Sequence, residues 1–237
     1  MSGSPLDVHK FMRFEGSILE KAKSLGASLA GVTSAALLRN APAYQASGQV
    51  EFPLEAKSIL VLALAHDVNE PELDWWGVKE GTPGNQRLHQ ISCQIKVWLD
   101  EEYKIQARPL LYHVEKGGIF LKDAAVLAGL GMIGANNLLI TPAFGPRVRL
   151  RALFLDTAFA PLESGTFSPC ASCPQPCRLA CPRQAFSSGA YNRTRCAQQM
   201  HADEAQKVLV AATFQENAAV RVKYCRACEL ACPVGKK

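Results

Sequence analysis

The sequence predicts an α/β domain over residues 1–160 and a small cysteine-rich module over residues 161–237. Three observations carry this reading. Apolar patterns of helical and extended type alternate as far as about residue 160. Beyond it the chain turns into short pieces punctuated by cysteine and proline. Eight of the nine cysteines lie at or after Cys170. A length of 237 residues suits one large domain with an appended module, and 48% hydrophobic with 20% charged residues suits a chain with a real core.

Each element has its own signature. Residues 7–25, "DVHKFMRFEGSILEKAKSL", space their apolar side chains as a helix does, and Gly26 offers a stop. "ASLAGVT" reads as a short strand. "KSILVLALAHD", residues 57–67, is a near-continuous apolar run suited to a strand buried on both faces. "NEPELDWWGVKEGTPGNQ" is a polar loop carrying Trp75 and Trp76, and a helix over about residues 86–103 follows the turn formers Pro83 and Gly84. "ARPLLYHVEKG" is expected to be a strand and "IFLKDAAVLAGLG" a helix ending in glycine. "NNLLITP" and "RVRLRALFLDT" are expected to pair as strands joined through "AFG". Within the module, "NRTRCAQQMHADEAQKVLVAATF" is a helical insertion.

The start, "MSGSPLDVHKF", has no apolar run of signal-peptide type and no twin-arginine pair, and no apolar string is long enough to span a bilayer. A cytoplasmic protein without a membrane partner is the expectation. The formal charge of +5 counts every thiol as neutral. Two oxidised iron–sulfur cores on eight thiolates would each carry roughly −2 and bring the total to about +1. Charge therefore gives little reason to expect nucleic-acid binding.

The cysteine spacing is the most specific signal. "CASCPQPCRLACP" has the form C-x2-C-x3-C-x3-C-P, close to the bacterial ferredoxin run C-x2-C-x2-C-x3-C-P. "CRACELACP" is a second, shorter run that lacks one cysteine, and Cys196 is available to supply it. In two-cluster ferredoxins the fourth cysteine of each run ligates the other cluster. On that pattern Cys170, Cys173, Cys177 and Cys232 hold one [4Fe–4S] cluster, and Cys181, Cys196, Cys225 and Cys228 hold the second. Zinc ribbons also use Cys-x-x-Cys pairs, whereas a disulfide scaffold sits poorly with a cytoplasmic chain and such short spacings. The extra residue in "CPQPC" must be absorbed by a bend that Pro174 and Pro176 help define. Cys93, inside a helical pattern, is expected to be a buried small apolar residue.

Gly129, Gly131 and Gly134 sit where a helix ends and a strand begins. Their G-x-G-x-x-G spacing runs helix to strand, the reverse of the dinucleotide-binding order. The stretch "AGLGMIGANNLLITPAFG", the following "RALFLDTAFAP" and the order CxxC…CP…C…CxxCxxxCP together resemble cobalamin-dependent epoxyqueuosine reductases and, more distantly, reductive dehalogenases. "ILEKAKSLGASLAGVT" and "AKSILVLALA" add a weaker likeness, so that the resemblance covers nearly the whole chain.

That resemblance implies an α+β or α/β, nitroreductase-like, corrinoid-binding domain followed by a two-cluster ferredoxin-like module, with base-off cobalamin as the cofactor. It implies that Gly129, Gly131, Gly134, Asn136 and Asn137 border the corrin, with His89 a further contact. The family's lysine after the third glycine is Ala135 here. Its proton-donating aspartate falls sixteen residues before the second glycine, at Glu115 in this chain. The tRNA-modifying members continue past the last Cys-Pro into a helical-repeat segment, whereas this sequence stops at "VGKK"; exported dehalogenases carry a signal that is not seen here. The expectation is reductive chemistry on a small molecule or on a corrinoid protein, fed by ferredoxin or flavodoxin, with tRNA the less favoured substrate and a non-catalytic electron carrier a further alternative.

Several residues stay open between roles. His113 and Glu115, two apart on an expected strand, would share a face, with Glu115 a buried proton donor or an ordinary strand-end carboxylate. His66 reads as a satisfied polar residue, and Tyr112 as structural. Trp75 and Trp76 either cover a pocket or anchor their loop. Arg147, Arg149 and Arg151 share one strand face, facing solvent or a polar cofactor group.

Overall fold

The computed structural model describes residues 16–47, 55–77, 81–159, 166–210 and 219–236. The expected boundary at residues 160–161, and residues 7–15 of the expected first helix, lie outside that set. The chain groups into two compact units, Met1–Ala65 with Leu88–Gly131 and Leu150–Thr166, and His66–Arg87 with Met132–Arg149 and Phe167–Lys237. Gly129 and Gly131 thus fall in the first, and Gly134 and all eight late cysteines in the second.

The first unit is built on a four-stranded sheet of order β1-β2-β7-β4, formed by Leu29–Ser34 (β1), Ser58–Ala65 (β2), Val148–Leu155 (β7) and Ala107–Pro109 (β4). β1 and β2 pair antiparallel from Leu29 opposite Ala63 to Ser34 opposite Ser58, and β4 pairs antiparallel with β7. Seven consecutive residues of β2 are buried, as its unbroken apolar run implied. Alternation explains how both faces are used. Leu60, Leu62 and Leu64 join Ile18 and Ala22 of the helix over residues 16–24 (α1) and Leu88, Ile91, Ile95 and Leu99 of Pro83–Tyr103 (α4) in one core. The opposite face meets Leu121–Leu127 (α5), beside Ala35–Arg39 (α2), with Pro42–Ser47 (α3) next along the chain. Burying each leucine is worth roughly 1.5–3 kcal/mol, so this layered core supplies most of the unit's stability.

Two expectations for this part are corrected. The strand begun at Ala107 ends at Pro109, whose ring removes a ladder donor. Leu110 still donates to the Ala152 carbonyl, but Val114–Lys116 then forms a 3-10 turn on which the Gly118 N–H closes to His113 O at 2.9 Å. The expected partners "NNLLITP" and "RVRLRALFLDT" also do not pair. Leu139–Ile140 (β6) pairs instead with Met132–Ile133 (β5) in a separate hairpin.

The second unit contains that hairpin, a three-stranded sheet and short helices. In the sheet Trp76–Gly77 (β3), Ala219–Val222 (β9) and Val208–Val210 (β8) lie in the order β3-β9-β8. The expected polar loop therefore includes a strand. The expected helical insertion is helical only over Arg193–Ala205 (α7), where the Asn192 side chain caps the first turn by accepting from the Arg195 N–H at 2.9 Å. It then turns into β8. Pro176–Leu179 (α6) and Ala227–Leu230 (α8) are single turns lying against each other, one in each cysteine run.

Candidate redox site

The second unit sorts its cysteines into two sets by their mutual fields. Burial raises the Cys177 thiol, and Cys232, Cys170 and Cys173 raise it further against a backbone hydrogen bond at Arg178. Burial also pushes the Cys228 thiol up to about 12, helped by Cys225, Cys181, Cys196 and Glu229. Cys225 is raised by burial and by Asp203, Cys181 and Cys196. The neighbours of Cys177 are thus the three cysteines expected to share its cluster, and those of Cys228 are the three expected to share the other. Among the described residues, no group of three or more His, Cys, Asp and Glu side chains could hold a single metal ion.

Local geometry holds each loop. The extra residue of "CPQPC" is absorbed by Gln175, which takes a left-handed φ of 55° and starts α6. Its N–H donates to Cys173 Sγ at 3.4 Å, and the Ala185 N–H donates to Cys181 Sγ at 3.3 Å. Such bonds favour negative charge on sulfur. Arg178 ties the two segments by donating to the carbonyls of Phe186 and Gly189. The Cys225 N–H donates to Asp203 Oδ2 at 2.7 Å, anchoring the second run to α7.

The β5–β6 hairpin and the turn that follows it hold the terminal run as well. Asn136 Nδ2 donates to the Cys228 carbonyl at 3.2 Å. Arg147 donates to the Cys232 carbonyl at 3.4 Å and to that of Val234 at 2.6 Å. Gly145, with φ of 57°, lies so close that an added Cβ would stand 2.0 Å from the Val234 oxygen. Ile140, Cys177 and Cys232 form a small buried cluster, with Met132, Phe167, Cys228 and Val234 packed around it, so Cys228 of the second set touches the first.

A buried charge network completes this unit, and sequence reasoning missed its centre. The Asp74 side chain is only 2% exposed and is met by His66 Nδ1, Arg149 Nε at 3.0 Å and Arg226 Nη1. Burial alone would raise its carboxyl. The hydrogen bond and charge of His66, with the charges of Arg149 and Arg226, outweigh that and hold it below the ordinary carboxylate range. Arg226 lies between Cys225 and Cys228 and also pairs with Glu229 at 2.5 Å. The one signal in the sequence was Arg226 followed by Glu229 at helical spacing inside the cysteine run; "ELDWW" showed nothing.

The remaining expected site residues are placed as follows. Gly129, with φ of 72°, ends α5, its N–H bonded to Val126 O. At Gly134 an added Cβ would meet the Ile140 side chain at 2.4 Å, so this glycine answers a contact inside its own hairpin. Gly131 leads into β5, and Asn137 adopts a φ of 59° in the hairpin turn. Asn136 is buried, its amide committed to Cys228 and its carbonyl to the Leu138 N–H.

His89 is exposed on α4 with Nε2 3.8 Å from Cys93 Sγ, and Cys93 is exposed too, correcting its expected burial. Glu115 is not on a strand and not buried: its side chain is 72% exposed, 3.5 Å from that of His113. Trp75 lies under Lys223, and Trp76 packs edge-on against Tyr224, so both anchor their loop. Arg147, Arg149 and Arg151 do not form a solvated face. Each is spent inside the protein, Arg151 on the Leu110 carbonyl at 2.8 Å. No helix among the described residues is long and apolar enough to cross a membrane.

Comparison with known proteins bears on these features together. No protein-family model matches the chain. Tetrachloroethene reductive dehalogenases of Desulfitobacterium hafniense and Dehalobacter restrictus are 46% identical to it over 139 residues, covering 55% of this chain and 24% of theirs. The chain thus spans about a quarter of the length of these relatives. An epoxyqueuosine reductase with a tRNA-Tyr epoxyqueuosine-modified stem loop superposes with a TM-score of 0.64 at 19% identity, over 95% of this chain and 66% of that one. A catabolic reductive dehalogenase in complex with 3-bromo-4-hydroxybenzoic acid gives 0.64 at 19% identity, over 93% and 32%. The fold is therefore that of the epoxyqueuosine reductases and reductive dehalogenases, which the glycine segment and cysteine order implied.

Proposed function

We propose that this chain is a cobalamin-dependent iron–sulfur oxidoreductase. It takes single electrons into two [4Fe–4S] clusters and uses a corrinoid for reductive chemistry on a small molecule, or reduces a corrinoid. What supports the reading is that Cys177 is raised by Cys232, Cys170 and Cys173 while Cys228 is raised by Cys225, Cys181 and Cys196, each group drawing on both cysteine runs. Cys170, Cys173, Cys177 and Cys232 would hold one cluster, and Cys181, Cys196, Cys225 and Cys228 the other. Residues 1–160 would then be the nitroreductase-like corrinoid domain and 161–237 the ferredoxin-like module, in the cytoplasm.

When bound, the clusters supply one-electron transfer and the base-off corrinoid a reducible cobalt. The chain's own part is to hold the sulfur ligands in place. N–H groups of Gln175 and Ala185 stabilise charge on Cys173 and Cys181, while Arg147 and Asn136 fix the carbonyls of Cys232 and Cys228. The corrinoid rests on the shared fold, and no step is assigned to Gly134 or Asn136, whose contacts inside the protein account for them. A small-molecule substrate is favoured by the dehalogenase relatives at 46% identity. Reduction of tRNA epoxyqueuosine is the second reading, favoured by the fold shared with the stem-loop complex.

The test is anaerobic reconstitution with iron, sulfide and cobalamin, followed by metal analysis and EPR under graded reduction. About eight iron atoms per chain and a base-on to base-off change in the cob(II)alamin spectrum are expected. About four iron atoms, or a cobalamin spectrum indifferent to the protein, would overturn the reading.

A further inference from the structure

The surface around α6 carries a chemistry that the cluster loops do not need. Leu179 is 85% exposed, more than any other large apolar side chain among the described residues. It lies two residues from Cys177 and two from Cys181, which are assigned to different clusters. Ala171, Pro174, Ala180 and Pro182 are exposed on the same loops. A groove of about 470 Å³ runs alongside, lined by Pro174, Gln175, Arg178, Leu179, Gln184 and Phe186.

The segment that forms this patch carries side-chain charge of one sign, while Glu229 on the adjoining α8 is paired with Arg226 and Asp203 is bonded to Gln199 and the Cys225 N–H. Residues 167–202 hold four arginines and neither Asp nor Glu. Arg183, Arg193 and Arg195 are exposed. The hydrogen bonds of Arg178, Arg183 and Arg195 go to neutral groups: the Gln175 side chain and two carbonyls, the Gln199 side chain, and the Gln184 carbonyl with Ser187. These bonds orient the guanidinium groups without cancelling their charge. An apolar centre with a charged rim is the anatomy of a protein–protein contact. A rim of one sign steers a partner of the other and speeds encounter.

We infer that the α6 face is the docking site for a small acidic one-electron carrier protein, an inference that rests on the two-cluster reading above. One electron leaves the reduced carrier, which is oxidised, and enters a cluster, which is reduced; no bond breaks and no proton moves. The short path from Leu179 to a ligand of each cluster makes this the economical point of entry. Nucleic acid would use the arginines but leaves Leu179 unexplained, so a protein partner fits better.

The test uses the reconstituted full chain, an acidic bacterial ferredoxin as the carrier probe and a tRNA stem loop as the second probe. Affinity is measured at low and moderate salt for the wild type, Leu179→Glu and the pair Arg183→Glu with Arg193→Glu. Val97→Glu, at a position 52% exposed on α4, is the control. Iron per chain is measured throughout, and Leu179→Ala replaces Leu179→Glu should the latter lose iron.

Expected are carrier binding weakened about tenfold by the added salt, a further loss of at least tenfold in both α6-face variants, and no change in the control. Full iron with unchanged carrier affinity in the Leu179 variant would overturn the docking site alone. RNA binding that falls in the variants while ferredoxin binding does not would overturn it in favour of nucleic acid. Iron near zero in the wild type would overturn the two-cluster reading, and this inference with it.

Discussion

Replacing Asp74 by asparagine keeps the shape of the side chain and takes away its charge. The carboxylate meets three partners, His66, Arg149 and Arg226, while its own side chain is 2% exposed. Ion pairs on an open surface are worth about 0–1 kcal/mol, whereas removing one partner of a buried pair costs about 3–5 kcal/mol. Arg149 and Arg226 retain 21% and 16% exposure, so water reaches the cations that the substitution strands. The expected cost of Asp74→Asn is therefore about 3 kcal/mol, at the low end of the buried range. In a chain of this size that lowers the melting temperature by roughly 6–12 °C.

The pH dependence has a definite sign. Asp74 is held below the ordinary carboxylate range in the folded chain, so its contribution is complete above the unfolded value and is lost as pH falls through the folded one. The gap between wild type and variant should narrow below about pH 4, as the Asp74 carboxylate takes up its proton. Thermal and urea unfolding from neutral pH into acid check it. A cost under 1 kcal/mol at neutral pH, or a gap that fails to narrow below about pH 4, would refute the reasoning.

Three further outcomes test other parts of the structure. Cys196→Ala should lower iron after reconstitution from about eight to about four atoms per chain; both clusters surviving intact would undo the ligand assignment. Gly145→Ala should cost more than about 2 kcal/mol in urea unfolding, because the added carbon meets the Val234 carbonyl. Gly117→Ala, which also has positive φ but nothing within 4 Å, should cost only about 1 kcal/mol. Glu115→Gln should change stability by less than about 0.5 kcal/mol, since the side chain is 72% exposed, and a larger loss would mean that the carboxylate is held more tightly than its setting implies.

Periodicity and spacing are properties of neighbouring residues, and what depends on them was legible. The unbroken apolar run over residues 57–67 became the buried β2, the helical spacing before Tyr103 became α4, and "LKDAAVL" became α5 with Gly129 at its end. The order of the cysteines proposes two sets, and the thiols that raise Cys177 and Cys228 fall along the same division. What depends on which distant segment arrives was not legible. A stretch such as "NNLLITP" does not name its partner, and β6 pairs with β5 through a turn that the Gly134 N–H closes onto the Leu138 carbonyl. Neither "ELDWW" nor "RVRLR" shows that Asp74 will lose its water to a histidine and two arginines; only packing decides that a charge is buried, and burial is what turns an ordinary polar residue into a structural one.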